Sequence, residues 1–334
     1  MKKTIFQIFT LILLGLMLAP THVFSQDKVG QTGLKFLDVG VGARAAGMGE
    51  AFTLVGDDAN ALFYNPAGIA LIEEKYSIMA HRTEWFADIS YNAFAATVNL
   101  DVLGTFGASF VTADYPNSMG TIVADNEQGY IETGNFSGTA FSVGLAYARS
   151  FTDKFTFGGR VNFAHQNLGE NMVPVIESAV ITDTSNVKND VGGLAYDIGT
   201  IFVPGFKSLK LGMSITNYSA QFEYEEDQFQ LPLTFNMGAS MDVLDLLDGD
   251  YSDMSFVVDI EALHPRDFGQ RIHAGGEFWY KDTFALRSGY KFNYDEESFS
   301  AGFGVKLSGA RIDYAYSRFG IFTSVQRFSV GYAF

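Results

Sequence analysis

From Tyr76 to the last residue, large apolar side chains alternate with small or polar ones in segments of roughly 9–12 residues, the length a tilted strand needs to cross a bilayer. Over residues 299–307, Phe299, Ala301, Phe303, Val305 and Leu307 are apolar, with Ser300, Gly302, Gly304 and Lys306 between them. Over 155–163, Phe155, Phe157, Val161 and Phe163 share a face opposite Thr156, Gly158, Arg160 and Asn162. The chain stops on the same pattern: Phe328, Val330, Tyr332 and Phe334 alternate with Arg327, Ser329, Gly331 and Ala333. Helical spacing fits none of these stretches, so the period is that of strands.

Segmenting 75–334 this way predicts about 14 antiparallel strands, beginning near 75–85, 88–99 and 104–115 and ending at 323–334. An even count puts both barrel termini at one end, where connections should be short. The longest gaps, 116–135, 169–190 and 221–230, follow strands three, five and seven, while Thr152-Asp153, Lys281-Asp282 and Ser308-Gly309 turn after even strands. The stretch 242–253 breaks the rule, being long after an even strand; it reads as a short helix or as a register shifted by one strand. The inner face carries Arg160, Lys210, Asp259, Glu261, Glu277, Arg287, Lys291, Lys306, Arg311, Asp313 and Arg327, whose opposite signs can pair across the lumen.

Composition narrows the class. The 35 Gly, 32 Phe and 16 Tyr suit close-packed strands with aromatic belts, and the absence of Cys removes disulfides and thiolate chemistry. After Ala19 no apolar run is long enough for a helical span. Lys2 and Lys3, the apolar run 5–19 and the small or aliphatic residues before Gln26 read as a cleaved signal peptide over 1–25. Its removal takes the net charge from −16 to about −18, which argues against nucleic acid as a partner. A Phe at the end of a terminal alternating strand resembles the assembly signal of Gram-negative outer-membrane barrels. Phe334 is therefore assigned that role, with the barrel assembly machinery and outer-membrane lipid as expected partners.

Residues 34–72 do not alternate. Small residues dominate 40–49, Asp57 is a plausible N-cap for a short helix over 58–64, and that helix must stop before Pro66. So many small residues predict a plug threaded inside the barrel, giving a hatch over 26–74 and a barrel over 75–334. The run FLDVGVGARAAGMGEAFTLVGDDANALFYNPAGIA closely resembles the N-terminal signature of the PorV/PorQ family, which belongs with the FadL-like outer-membrane transporters. The resemblance implies a 14-stranded barrel with a luminal hatch and makes Asn65, Pro66, Ala67 and Gly68 the hatch motif. It also implies an inward kink and lateral opening at the third strand, where Gly104 and Gly107 stand. Two functions come with it: binding or transport of hydrophobic small molecules, or receipt of secreted cargo as an accessory of type IX secretion. Gly68 directly after Asn-Pro-Ala resembles FadL-like hatches more than the secretion-dedicated version.

Other chemistry lacks the sequence context it needs. Gly40-Val41-Gly42-Ala43-Arg44-Ala45 satisfies a dinucleotide fingerprint but lacks the βαβ context, so no cofactor is expected. His81, His165, His264 and His273 have neither metal-ligand spacing nor a nucleophile motif, so no metal and no enzyme activity are expected. The acidic clusters 125–127, 223–227 and 295–297 read as solvated loop tips, or as carboxylates bridged by divalent cations to lipopolysaccharide. Tyr130, Phe136, Phe222, Tyr224 and Phe229 are candidates for a capture surface for a hydrophobic ligand or a protein partner.

Overall fold

The computed structural model describes residues 30–177, 180–224 and 227–334, so the segment read as a signal peptide lies outside the described residues. Fourteen strands form one closed antiparallel barrel. They are β1 (Tyr76–Glu84), β2 (Ser90–Asn99), β3 (Thr105–Asp114), β4 (Thr139–Ser150), β5 (Phe155–Glu177), β6 (Val180–Phe202) and β7 (Lys210–Ser219). The circuit continues through β8 (Thr234–Asp242), β9 (Met254–Pro265), β10 (Arg271–Tyr280), β11 (Phe284–Phe292), β12 (Glu297–Leu307), β13 (Ala310–Phe319) and β14 (Val325–Ala333). The seam closes between β1 and β14, and Tyr76 and Phe334 exchange both backbone hydrogen bonds at 2.9 Å.

Alternation sorts side chains as the sequence pattern predicts. Phe94, Phe106, Leu145, Phe163, Leu286, Phe303 and Val330 point outward and are exposed on the isolated chain, an apolar belt that only a lipid solvent satisfies. Tyr76, Tyr332 and Phe334 cluster at the end where the barrel wall both begins and finishes, as an interfacial aromatic girdle does. Among the described residues no helix is long and apolar enough to cross a membrane.

Two expectations about connections are revised. The gap at 169–190 is not an open loop: β5 and β6 run on as paired strands of 23 residues each, with one register shift between Asn167 and Glu170, where β5 loses its other wall neighbour, and a second between Val175 and Ile176. Hairpins also form at 118–136 and 222–229, inside the other two long connections. The stretch 242–253 is a true connection of the terminal end, holding a short 3₁₀ turn at Val243–Leu246 that is capped by Asp242.

The hatch threads the lumen from end to end. At the long-loop end Thr32 bridges Gln230, and Gly33 donates to the Gln230 carbonyl at 3.0 Å. A 3₁₀ turn at Lys35–Asp38 then buries Phe36. The helix α1 (Ala43–Gly47) lies against β11 to β14, and α2 (Ala61–Tyr64) and the 3₁₀ turn Pro66–Leu71 lie against β3 to β6. The chain leaves the lumen at the terminal end and becomes β1.

Candidate functional site

One flank of the hatch is held by charge. Arg44, on α1, gives a two-point contact to Glu277 on β10, with Nε to Oε1 at 2.8 Å and Nη2 to Oε2 at 2.6 Å. Its third nitrogen pairs with Asp57 and, at 2.8 Å, with Asp58. Arg44 is 2% exposed and Glu277 1%, so the pair sits in a medium where its attraction is barely screened. The network spreads along the wall: Arg287 reaches Glu277 at 2.6 Å and Asp313 at 2.9 Å, and Arg311 reaches Asp58 at 2.9 Å. A second node joins Glu50 to Lys291 at 2.7 Å and to Arg327 at 3.1 Å. Burial alone would push the Glu50 carboxyl up, but the Lys291 and Arg327 cations outweigh it and hold the group down at about 2. At a third, Glu261 accepts from the Thr53 backbone and, at 2.9 Å, from the Thr53 hydroxyl.

The opposite flank is held by packing. Leu62, Ile69 and Ile72 are buried with Met79, Ala95, Ala146 and Ala148 of the inner wall. Gly107 on β3 leaves the space that Leu62 fills, since a Cβ there would stand 2.6 Å from Cδ2 of that leucine. The motif Asn65-Pro66-Ala67 enters a notch made by Gly158 and Gly199, which face each other across β5 and β6. A side chain at Gly158 would meet Pro66 and Ala67 at 2.6 Å, and one at Gly199 would strike Asn65. Asn65 ends α2 and caps the following turn, accepting from Ala67 N at 3.0 Å. Its amide donates to Thr53 O at 3.0 Å within the hatch and to Thr200 O at 3.3 Å on the wall. Gly68 passes beside Ala61 with no room for a Cβ.

Several sequence expectations shift. Asp57 does not cap α2, whose first turn starts from Asn60; it serves Arg44 instead. Gly104 lies in the turn before β3 with φ +90, and β3 pairs without a register break to β2 and β4. The kink and lateral gap expected at Gly104 and Gly107 are therefore not formed. Of the loop aromatics, Phe222 is buried and stacks on Phe229, which packs on Gly33, so this pair pins the hatch rather than facing a ligand. Tyr130 is exposed on the 118–136 hairpin, and the Tyr224 side chain lies outside the described residues. Most of the inner charges pair with the hatch or with neighbouring strands and not across an open lumen, whereas Asp259 and Lys210 make no ion pair among the described residues. Nothing local in the sequence marks Arg44, Glu50, Thr53 or Asp58 as hatch anchors; a lone Arg among small residues is the available signal.

The hatch leaves cavities at both ends. At the long-loop end a cavity of about 370 Å³ lies between the 35–40 segment and the rim, and a deeper one of about 120 Å³ lies beneath the same segment. At the terminal end two cavities of about 310 and 380 Å³ share Asp57, Lys210, Lys306 and Arg311. Each has charged groups in its lining, so none is the apolar chamber a hydrocarbon path needs.

Residues 58–332 match the family model of the type IX secretion system membrane protein PorP/SprF. The match is not to the PorV/PorQ family that the hatch signature resembles. Among solved structures, the CymD monoaromatic hydrocarbon channel is 12% identical, with 89% of this chain and 98% of that chain covered and a TM-score of 0.58. The Pseudomonas putida toluene transporter TodX is 13% identical, with 88% and 99% covered and a TM-score of 0.59. A Pseudomonas aeruginosa FadL homologue is 12% identical, with 89% and 99% covered and a TM-score of 0.56. At such identities the likeness is one of fold. No curated protein matches the chain.

Proposed function

Because the chain belongs to the type IX secretion system membrane protein family PorP/SprF, we propose that it is a sealed outer-membrane barrel serving type IX secretion as a docking platform, not as a conduit and not as an enzyme. The observation that carries this reading is the double hold on the hatch. Buried ion pairs fix one flank, packed apolar side chains fix the other, and β3 is paired on both edges. A barrel built this way offers its two ends to proteins while its lumen stays shut. A role like that of PorV-type members, receiving secreted cargo at the membrane, is the finer version of the same proposal.

Gentle detergent purification with mass spectrometry of what co-purifies tests it, together with the fate of secreted cargo after deletion. Retention of other secretion-system proteins and accumulation of cargo in the deletion strain are the expected results. A stoichiometric hydrophobic small molecule with no protein, and normal secretion without the barrel, would sink the proposal and leave FadL-like transport. That second reading is favoured by the aromatic side chains at the outer cavity, and it lacks a way out through the wall.

A further inference from the structure

Among the described residues every charged side chain lining the outer cavity but one is in an ion pair. Lys35 pairs with Asp38 at 2.9 Å and Asp267 at 3.0 Å, and Lys291 pairs with Glu50 and Glu297. Arg271, at the start of β10, lines the same cavity and makes no ion pair or side-chain hydrogen bond among the described residues; its Nε is buried without a partner. Its guanidinium is held between the rings of Phe268 and Tyr294, 4.0 Å from each centroid. Stacking of this kind fixes the plane of the group and leaves its N–H edge for a two-point contact with an oxyanion.

The rest of the lining says what the oxyanion is attached to. Trp85, Tyr91 and Tyr115 supply aromatic faces with polar tips. The floor is charged, with Glu50 and Lys291 in salt-bridge contact, so a long acyl chain has nowhere dry to lie. A sugar ring has both an apolar C–H face and hydroxyls, and about 370 Å³ is a ligand-sized space. We propose that this cavity binds an acidic sugar unit, with its carboxylate or phosphate on Arg271 and its ring against Trp85, Tyr91 and Tyr115. Such a unit can come from a lipopolysaccharide core or from a free oligosaccharide. The proposal does not depend on the secretion reading.

The test uses the full chain in detergent, read by calorimetry and by fluorescence of Trp85 in a Trp279→Phe background. A uronic-acid disaccharide is the probe, with its methyl ester, a neutral disaccharide and octanoate as comparisons. Binding of the uronide, with roughly tenfold or greater weakening for the methyl ester and for Arg271→Gln, and a smaller loss for Arg271→Lys, is expected. Displacement of the uronide by purified lipopolysaccharide would identify the membrane as the source; a lack of displacement would identify a soluble one. Equal binding of the ester, tighter binding of octanoate, or no binding of the uronide to the unaltered chain would each overturn the proposal. The ester comparison is made on that chain, so it holds even if an Arg271 variant fails to fold.

Discussion

The two flanks of the hatch do the same job by different physics. On the β10 to β14 side, Arg44, Glu50 and Asp58 meet Glu277, Lys291, Arg311 and Arg327 through directed contacts that tolerate little displacement. On the β3 to β6 side, Leu62, Ile69 and Ile72 fill space left by Ala and Gly, and Asn65 fixes the register. Charge gives the first flank orientation at a high desolvation cost, repaid only while every partner is present. Packing gives the second a cost proportional to the volume removed. A fault on the first side should therefore act as a switch, and a fault on the second as a graded loosening.

The strongest way to break the contrast is Arg44→Met, which leaves Glu277 and Asp58 buried without their hatch partner. Breaking such a pair costs about 3–5 kcal/mol. The expected outcome is an intact heat-modifiable barrel whose hatch becomes protease-sensitive and whose conductance in planar bilayers rises. A closed baseline in that variant would show that the charged flank is not the lock. Leu62→Ala should cost about 3 kcal/mol and raise conductance partially, as brief openings. Asn65→Ala removes the turn cap and the link to Thr200, worth about 1–3 kcal/mol, and should increase leak without reducing the yield of folded barrel.

Acid should separate the flanks without mutation. The docked Glu50 carboxyl lies near 2 against an ordinary 4.5, so its contribution is fully present above about 4.5 and is lost as pH falls through about 2. Conductance traces should stay closed from neutral pH to about 4.5, and opening should begin below that, earlier in Leu62→Ala than in the unaltered chain. Opening between pH 7 and 5 would place the sensitive group elsewhere. Deleting Phe334 touches neither flank: hatch protection should be unchanged while less chain reaches the heat-modifiable form.

How much of this was legible follows from the same contrast. The wall could be read strand by strand, because period-2 burial against lipid repeats at every step, and Phe155 to Phe163 or Phe299 to Leu307 need no tertiary context. The plug could be recognised from its small residues and its Asn-Pro-Ala element. Its partners could not, because Arg44 and Glu277 are 233 residues apart and nothing local marks them as a pair. Asp57 departs from its local signal for a related reason: a capping role competes poorly with the buried Arg44 cation nearby. Gly107 suggests a kink in the third strand, yet its missing side chain makes room for Leu62. Local signals name what a residue could do, and the lumen decides which option is taken.

The path of the hatch carries one more consequence, for the order of events when the chain folds. Residues 30–72 run the length of the lumen before β1 starts, and the seam that encloses them is made with β14, the last strand. The barrel therefore cannot close first and be plugged afterwards without threading a free end past Trp85, Tyr91 and the Phe222–Phe229 pair. An open sheet wrapping around an already seated segment avoids that passage, so the plug would serve as the mandrel on which the cylinder is rolled.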